Sequence, residues 1–127
     1  MPLPIKGGKI TTAYRKKGRH WSKGYHTGVD FAAPTGTPVL AVQDGTILPG
    51  GWGKSYGEQV LQSCKAGFVI YAHLDEVLCK PGDKVKAGDL IGKVGSTGNS
   101  TGPHLHLELR NQARWTGGKD LNPAKIL

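Results

Sequence analysis

Long apolar runs are what this chain most plainly lacks. No stretch of its 127 residues approaches the roughly 18 apolar residues of a membrane-crossing helix, so no membrane span is expected. The opening Met1-Pro2-Leu3-Pro4-Ile5-Lys6-Gly7-Gly8 has no apolar secretory core either. Cysteine is scarce: Cys64 and Cys79 are the only two, and they enclose 14 residues. Cys64 is expected beside a hairpin turn and Cys79 beyond the far end of the returning strand, which predicts two free thiols without a metal role. Extended periodicity of 3.6 residues is missing as well, which argues against a helical fold. Acidic residues number 9 against 17 Lys and Arg, a net charge of +8 that predicts attraction to a polyanion. Nucleic acid is not the expected partner. Apart from Arg15-Lys16-Lys17 and Arg19 the basic residues are scattered among glycine turns, with no zinc-finger spacing or helical reading element.

What the chain does have is 20 Gly and 8 Pro punctuating short apolar runs, the pattern of an all-β fold with an antiparallel sheet core. Strands are expected over Lys9–Ala13, Val29–Ala32, Pro38–Ala41, Gly45–Leu48, Gln59–Ser63, Phe68–His73, Lys84–Val85, Leu90–Gly95 and His104–Arg110. No internal linker interrupts the chain, so residues 1–127 read as one domain, a size sufficient for a single core.

The most informative stretch is Gly102-Pro103-His104-Leu105-His106-Leu107-Glu108-Leu109-Arg110. Its strict alternation marks a strand, and a period of two sends His104 and His106 out of one face while Leu105, Leu107 and Leu109 anchor the other. Two imidazoles aimed at one point suit metal binding or proton transfer. Of the five histidines, two more lie in patterned places. His26 precedes Asp30 by four positions in Tyr25-His26-Thr27-Gly28-Val29-Asp30-Phe31, where Val29 and Phe31 flank the acid like core residues of a strand. His73 closes the apolar run Phe68-Val69-Ile70-Tyr71-Ala72-His73-Leu74. Either segment alone is better explained by a packing or surface histidine; three in one chain are much less easily dismissed. His20, in the basic Lys16-Lys17-Gly18-Arg19-His20-Trp21, reads as a solvated surface residue.

In order and spacing these segments resemble the lysostaphin/LytM-type zinc metallopeptidases that cleave peptidoglycan. The resemblance rests on His26 and Asp30, then Tyr71-Ala72-His73-Leu74, then Gly102-Pro103-His104-Leu105-His106, set on a shared glycine framework from about Ile10 to Pro123. It implies a duplicated hybrid-type β fold with long loops forming a groove, and one Zn2+ per chain held by His26, Asp30 and His106. Two neutral imidazoles and one carboxylate leave an open fourth position, as in catalytic zinc sites, where bound water is strongly acidified. It also implies that His73 and His104 divide two tasks, accepting the water's proton and stabilising the oxyanion, with His104 the preferred base.

Three loop segments are expected to wall the substrate groove: Trp21 to Tyr25, Pro49 to Gly57 with Trp52 and Tyr56, and Asn111 to Gly118 with Trp115. The expected partners are a peptidoglycan peptide and anionic cell-wall polymers, met by a monomer. Without an export signal in this stretch, a phage lysin, a holin-released enzyme or a domain of a longer protein fits. A catalytically inactive peptidoglycan-binding or hydrolase-activating domain is the first alternative. A phosphocarrier of related fold using facing histidines is the second, though it needs neither Asp30 nor His104.

Overall fold

The structure, a computed structural model, describes residues 3–6, 8, 10–12, 28–49, 56–98, 102–111 and 120–127. Among these residues the chain is nearly all β: β1 (Ile10–Thr12), β2 (Val29–Ala32), β3 (Pro38–Leu40), β4 (Gly45–Leu48), β5 (Glu58–Cys64), β6 (Gly67–Val77), β7 (Lys84–Val85), β8 (Leu90–Val94), β9 (His104–Arg110) and β10 (Asp120–Leu121), followed by a 3-10 helix at Pro123–Ile126. Every pairing is antiparallel. The sheet runs β1-β2-β9-β6-β5-β4-β7, with β10 pairing β9 at Leu109 and Arg110, beyond the stretch paired with β2, and β8 joining β6 to β3. All the expected strands are present, and β10 and the terminal 3-10 helix are additions too short to leave a periodic signature.

The sheet sorts its side chains by alternation. Val29, Phe31, Val69, Tyr71, Leu105, Leu107 and Leu109 enter the main core. Leu105, Leu107 and Leu109 are completely buried, and each contributes about 1.5–3 kcal/mol by leaving water. On the opposite face Ile70, Ala72, Leu61 and Tyr56 form a smaller apolar cluster. The polar residues of β9 share that second face, and there His106, Glu108 and Arg110 are buried too. Both sides of β9 are therefore covered, where the alternation alone suggested one covered side.

Strand β6 is longer than its apolar run implied, continuing four residues past His73 to Val77. Up to Ala72 it pairs with β9, and from Leu74 it pairs with β8. The exchange happens at His73, whose φ of 63° makes it the sole non-glycine residue with positive φ among the described residues. Against β5, the pairs Val60↔Tyr71 and Glu58↔Leu74 leave one extra residue on β6, which is a β-bulge. A period of two running on from Val69 and Tyr71 would put His73 in the main core. The bulge gives that place to Leu74 and turns His73 onto the face that carries His106.

Cys64 closes β5 before the Lys65-Ala66 turn, and Cys79 lies two residues beyond β6; both are free thiols packed beside the core, in the places expected.

Close approach of β2 to β9 depends on Gly28. A Cβ there would sit 2.2 Å from the Leu107 carbonyl oxygen and 2.7 Å from Glu108 Cγ, whereas one at Gly102 would meet nothing within 4 Å. Gly28→Ala is therefore expected to cost about 1–3 kcal/mol through forced displacement of packed backbone. Gly102→Ala should stay within about 0.5 kcal/mol of the parent. Urea unfolding midpoints of the two variants measure the contrast, and equal midpoints would show that β2 and β9 are not in tight apposition.

Candidate active site

The site grows from one cross-strand register. β2 and β9 pair Asp30 directly with His106 and Ala32 with His104, so the second polar face receives a carboxylate from one strand and two imidazoles from the other. Val29 and Phe31, on either side of the acid, are locked in the core, which fixes Asp30 outward. Its Oδ1 lies 2.8 Å from His106 Nδ1 and 3.8 Å from His104 Nε2. The bulge brings the His73 ring to 4.8 Å from that of His104 and 6.0 Å from that of His106, centroid to centroid. Four of the residues singled out from sequence thus converge. His26, Trp52 and Trp115 lie outside the described residues. Tyr56, expected on a groove wall, is instead only 9% exposed and turned inward.

Ring orientations follow from backbone carbonyls, which can only accept. His73 Nδ1–H donates to the Thr97 carbonyl at 2.7 Å, and His104 Nδ1–H donates to the Gly102 carbonyl at 2.8 Å. In each neutral ring Nε2 is then the nitrogen carrying a lone pair. Thr97 also braces the bulge: its hydroxyl donates to the Leu74 carbonyl at 2.7 Å and accepts from the Glu58 N–H at 3.0 Å.

His106 is held differently. Asp30 stands at Nδ1, and Glu108 Oε2 lies 3.5 Å from Nε2. Burial pushes this imidazole towards the neutral form, but hydrogen bonds to Asp30 and Glu108, reinforced by their charges, outweigh it and push the pKa up to about 9. Two buried or half-buried carboxylates around one ring make a centre that calls for positive charge. Asp30 Oδ1 and His106 Nδ1 are near enough for one ion to reach both, and a carboxylate with an imidazole suits zinc. Among the described residues no cluster of three or more His, Cys, Asp or Glu forms a complete metal site. The described donors nevertheless fit a zinc ion awaiting at least one further ligand.

Glu108 was not singled out from sequence, although it continues the same alternation two positions after His106. Thr97, inside a glycine-rich turn, gave no pattern to read.

Residues 24–123 match Peptidase family M23. The chain belongs to that family. Among M23 relatives, it is 45% identical over 102 residues to the DD-carboxypeptidase/endopeptidase Mpg of Neisseria meningitidis, covering 80% of this chain and 22% of the relative. The catalytic domain of lysostaphin from Staphylococcus simulans superposes with a TM-score of 0.85 at 34% identity, over 98% of this chain and 97% of that one. A zinc containing peptidase from Vibrio cholerae gives a TM-score of 0.77 at 34% identity, over 93% of this chain and 37% of that one. The chain spans about a quarter of the length of the curated relatives it matches first, at 26% and 22%. The M23 assignment bears out both the resemblance and the antiparallel all-β fold read from sequence.

His73 carries a pH signature. Burial above all lowers its pKa to about 4, with the Thr97 hydrogen bond working the other way and the neighbouring His104 and His106 adding to the depression. The unfolded ring takes a proton near pH 6.5 and the folded one only near 4. The neutral ring's contribution to stability is therefore complete above about pH 6.5 and is lost as pH falls towards 4. An NMR titration of the His73 Cε1–H should show no protonation between pH 7 and 5. A midpoint near 6.5 would mean that this ring is solvated.

Proposed function

We propose that this chain is a zinc-dependent endopeptidase that hydrolyses peptide bonds of bacterial peptidoglycan, in the stem or cross-bridge, at the cell wall. The observation that carries the reading is the 2.8 Å approach of Asp30 Oδ1 to His106 Nδ1, with His73 and His104 gathered on the same face. Membership of M23 supports the peptidase class, as do the Neisseria endopeptidase and the lysostaphin structure. The net charge of +8 adds attraction to anionic wall polymers.

Asp30 and His106 would hold the zinc, with His26 as the third ligand that the resemblance implies. When bound, the metal supplies a Lewis acid for the scissile carbonyl and an acidified water. His104 is the base in this reading: its Nε2, 3.8 Å from Asp30 Oδ1, is placed to take the water's proton. His73 serves the oxyanion. Its Nδ1–H is committed to Thr97, so it can donate to that oxygen only through Nε2, after that nitrogen has taken up a proton from solvent. The trapped Nδ1–H groups keep both rings from rotating away.

His26→Ala, Asp30→Ala and His106→Ala are each expected to abolish both tight zinc retention and sacculus digestion. His73→Ala and His104→Ala should keep zinc and lose activity by about 100-fold or more. Elemental analysis beside mass spectrometry of released muropeptides separates the two groups. Full zinc retention by a variant of the first group would remove that residue from the ligand set, and unchanged turnover in the second would leave that histidine a packing role.

A further inference from the structure

Glu108 is completely buried, and a carboxylate is almost never sequestered so fully without a dedicated partner. Two partners converge on one of its oxygens. The Tyr56 hydroxyl donates to Oε2 at 2.5 Å, and His106 Nε2 lies 3.5 Å from the same atom. The Tyr56 ring stands edge-on to the His106 imidazole, with centroids 6.0 Å apart. Tyr56 enters from a segment 52 positions earlier in the chain, so the contact is a tertiary construction and no by-product of strand geometry.

Glu108 is also the next residue after His106 on the same face of β9, which makes its distance from that ring a fixed property of the strand. An imidazole has one proton to share between two nitrogens when neutral, and the partner of one nitrogen decides the role of the other. On the other side of the ring, Nδ1 faces Asp30 at 2.8 Å.

We propose that Glu108, held by Tyr56, is a positioning residue for the metal centre. It accepts the Nε2 proton of His106, so that Nδ1 is the nitrogen left with a lone pair on the side of Asp30. Tyr56 acts one step further out: by occupying Oε2 as a donor it keeps the carboxylate from turning away from the ring. Tyr56 is thereby a support beneath the site, where its glycine-rich neighbourhood beside Trp52 suggested a substrate contact. The proposal rests on the reading of Asp30 and His106 as zinc ligands.

The test is a zinc titration of the full chain against a chromophoric chelator, beside 15N NMR of the His106 ring in the zinc-loaded protein. In the parent, Nε2 should carry the proton and Nδ1 the metal. Glu108→Gln keeps the volume and removes the charge; it is expected to weaken zinc binding about 10–100-fold, the usual cost of losing such a support, and to raise the population of the other tautomer. Tyr56→Phe keeps the ring and removes only the hydroxyl, and should weaken binding in the same direction by about tenfold or less. Because Tyr56→Phe leaves the buried carboxylate in place, it remains a test if Glu108→Gln does not fold. Unaltered zinc affinity and an unaltered ring tautomer in the folded variants would overturn the positioning role while leaving the zinc reading intact. A parent protein that binds no zinc would overturn both.

Discussion

The register between β2 and β9 is the constraint on which the rest of the site depends. Because Asp30 lies directly opposite His106, a slip of one residue would carry the acid to the other face of the sheet and bury it among leucines. What prevents the slip is apolar. Val29 and Phe31 on β2, and Leu105, Leu107 and Leu109 on β9, all enter the same core, and a one-residue slip would turn one strand's set out of it. A polar pair is thus placed by hydrophobic residues on the opposite face of the sheet. Gly28 adds that the two strands meet closely at the start of β2, because the Leu107 carbonyl occupies the space a side chain would need.

The neighbouring histidine obeys a different logic. His73 belongs to the same sheet but reaches the site only because β6 breaks its own alternation there. A non-glycine residue at positive φ costs on the order of 1–3 kcal/mol, and such strain persists where surrounding structure over-determines it. Here Leu74 takes the core position, Thr97 ties the bulge through both its hydroxyl and its carbonyl, and β8 accepts the strand that β9 releases. Beyond the end of the β6 pairing at Ala72↔His106, His104 meets Gly95 in an isolated bridge.

This difference explains what could be read in the sequence. The faces of β9 were legible from alternation, and the outward setting of Asp30 was legible from Val29 and Phe31, because both depend on a period that local residues write out directly. The position of His73 was not. Its tetrapeptide Tyr71-Ala72-His73-Leu74 reads by periodicity as the end of a strand with the histidine pointing into the core, and the bulge that reverses it is imposed by partners on β5 and β8. Only the resemblance to lysostaphin-type enzymes drew His73 towards the other histidines. Tyr56 was opaque for a related reason: a segment rich in Gly looks like a surface loop until a buried carboxylate elsewhere claims the hydroxyl.

The polar face of β9 is costly as a piece of architecture. Strand residues facing water would leave His106, Glu108 and Arg110 hydrated, whereas here all three are buried, and each must recover from neighbours the interactions it gave up. That burden is offset on the same seven residues by three leucines at zero exposure on the opposite face. The strand can carry an expensive polar row because its other row is apolar without exception. In return, charges around His106 act in a medium far less screening than water, so that a carboxylate 3.5 Å away still bears on the ring. A loop could present the same side chains, but it would leave them hydrated and free to turn. Stability drawn from one face of a strand is spent on orientation at the other.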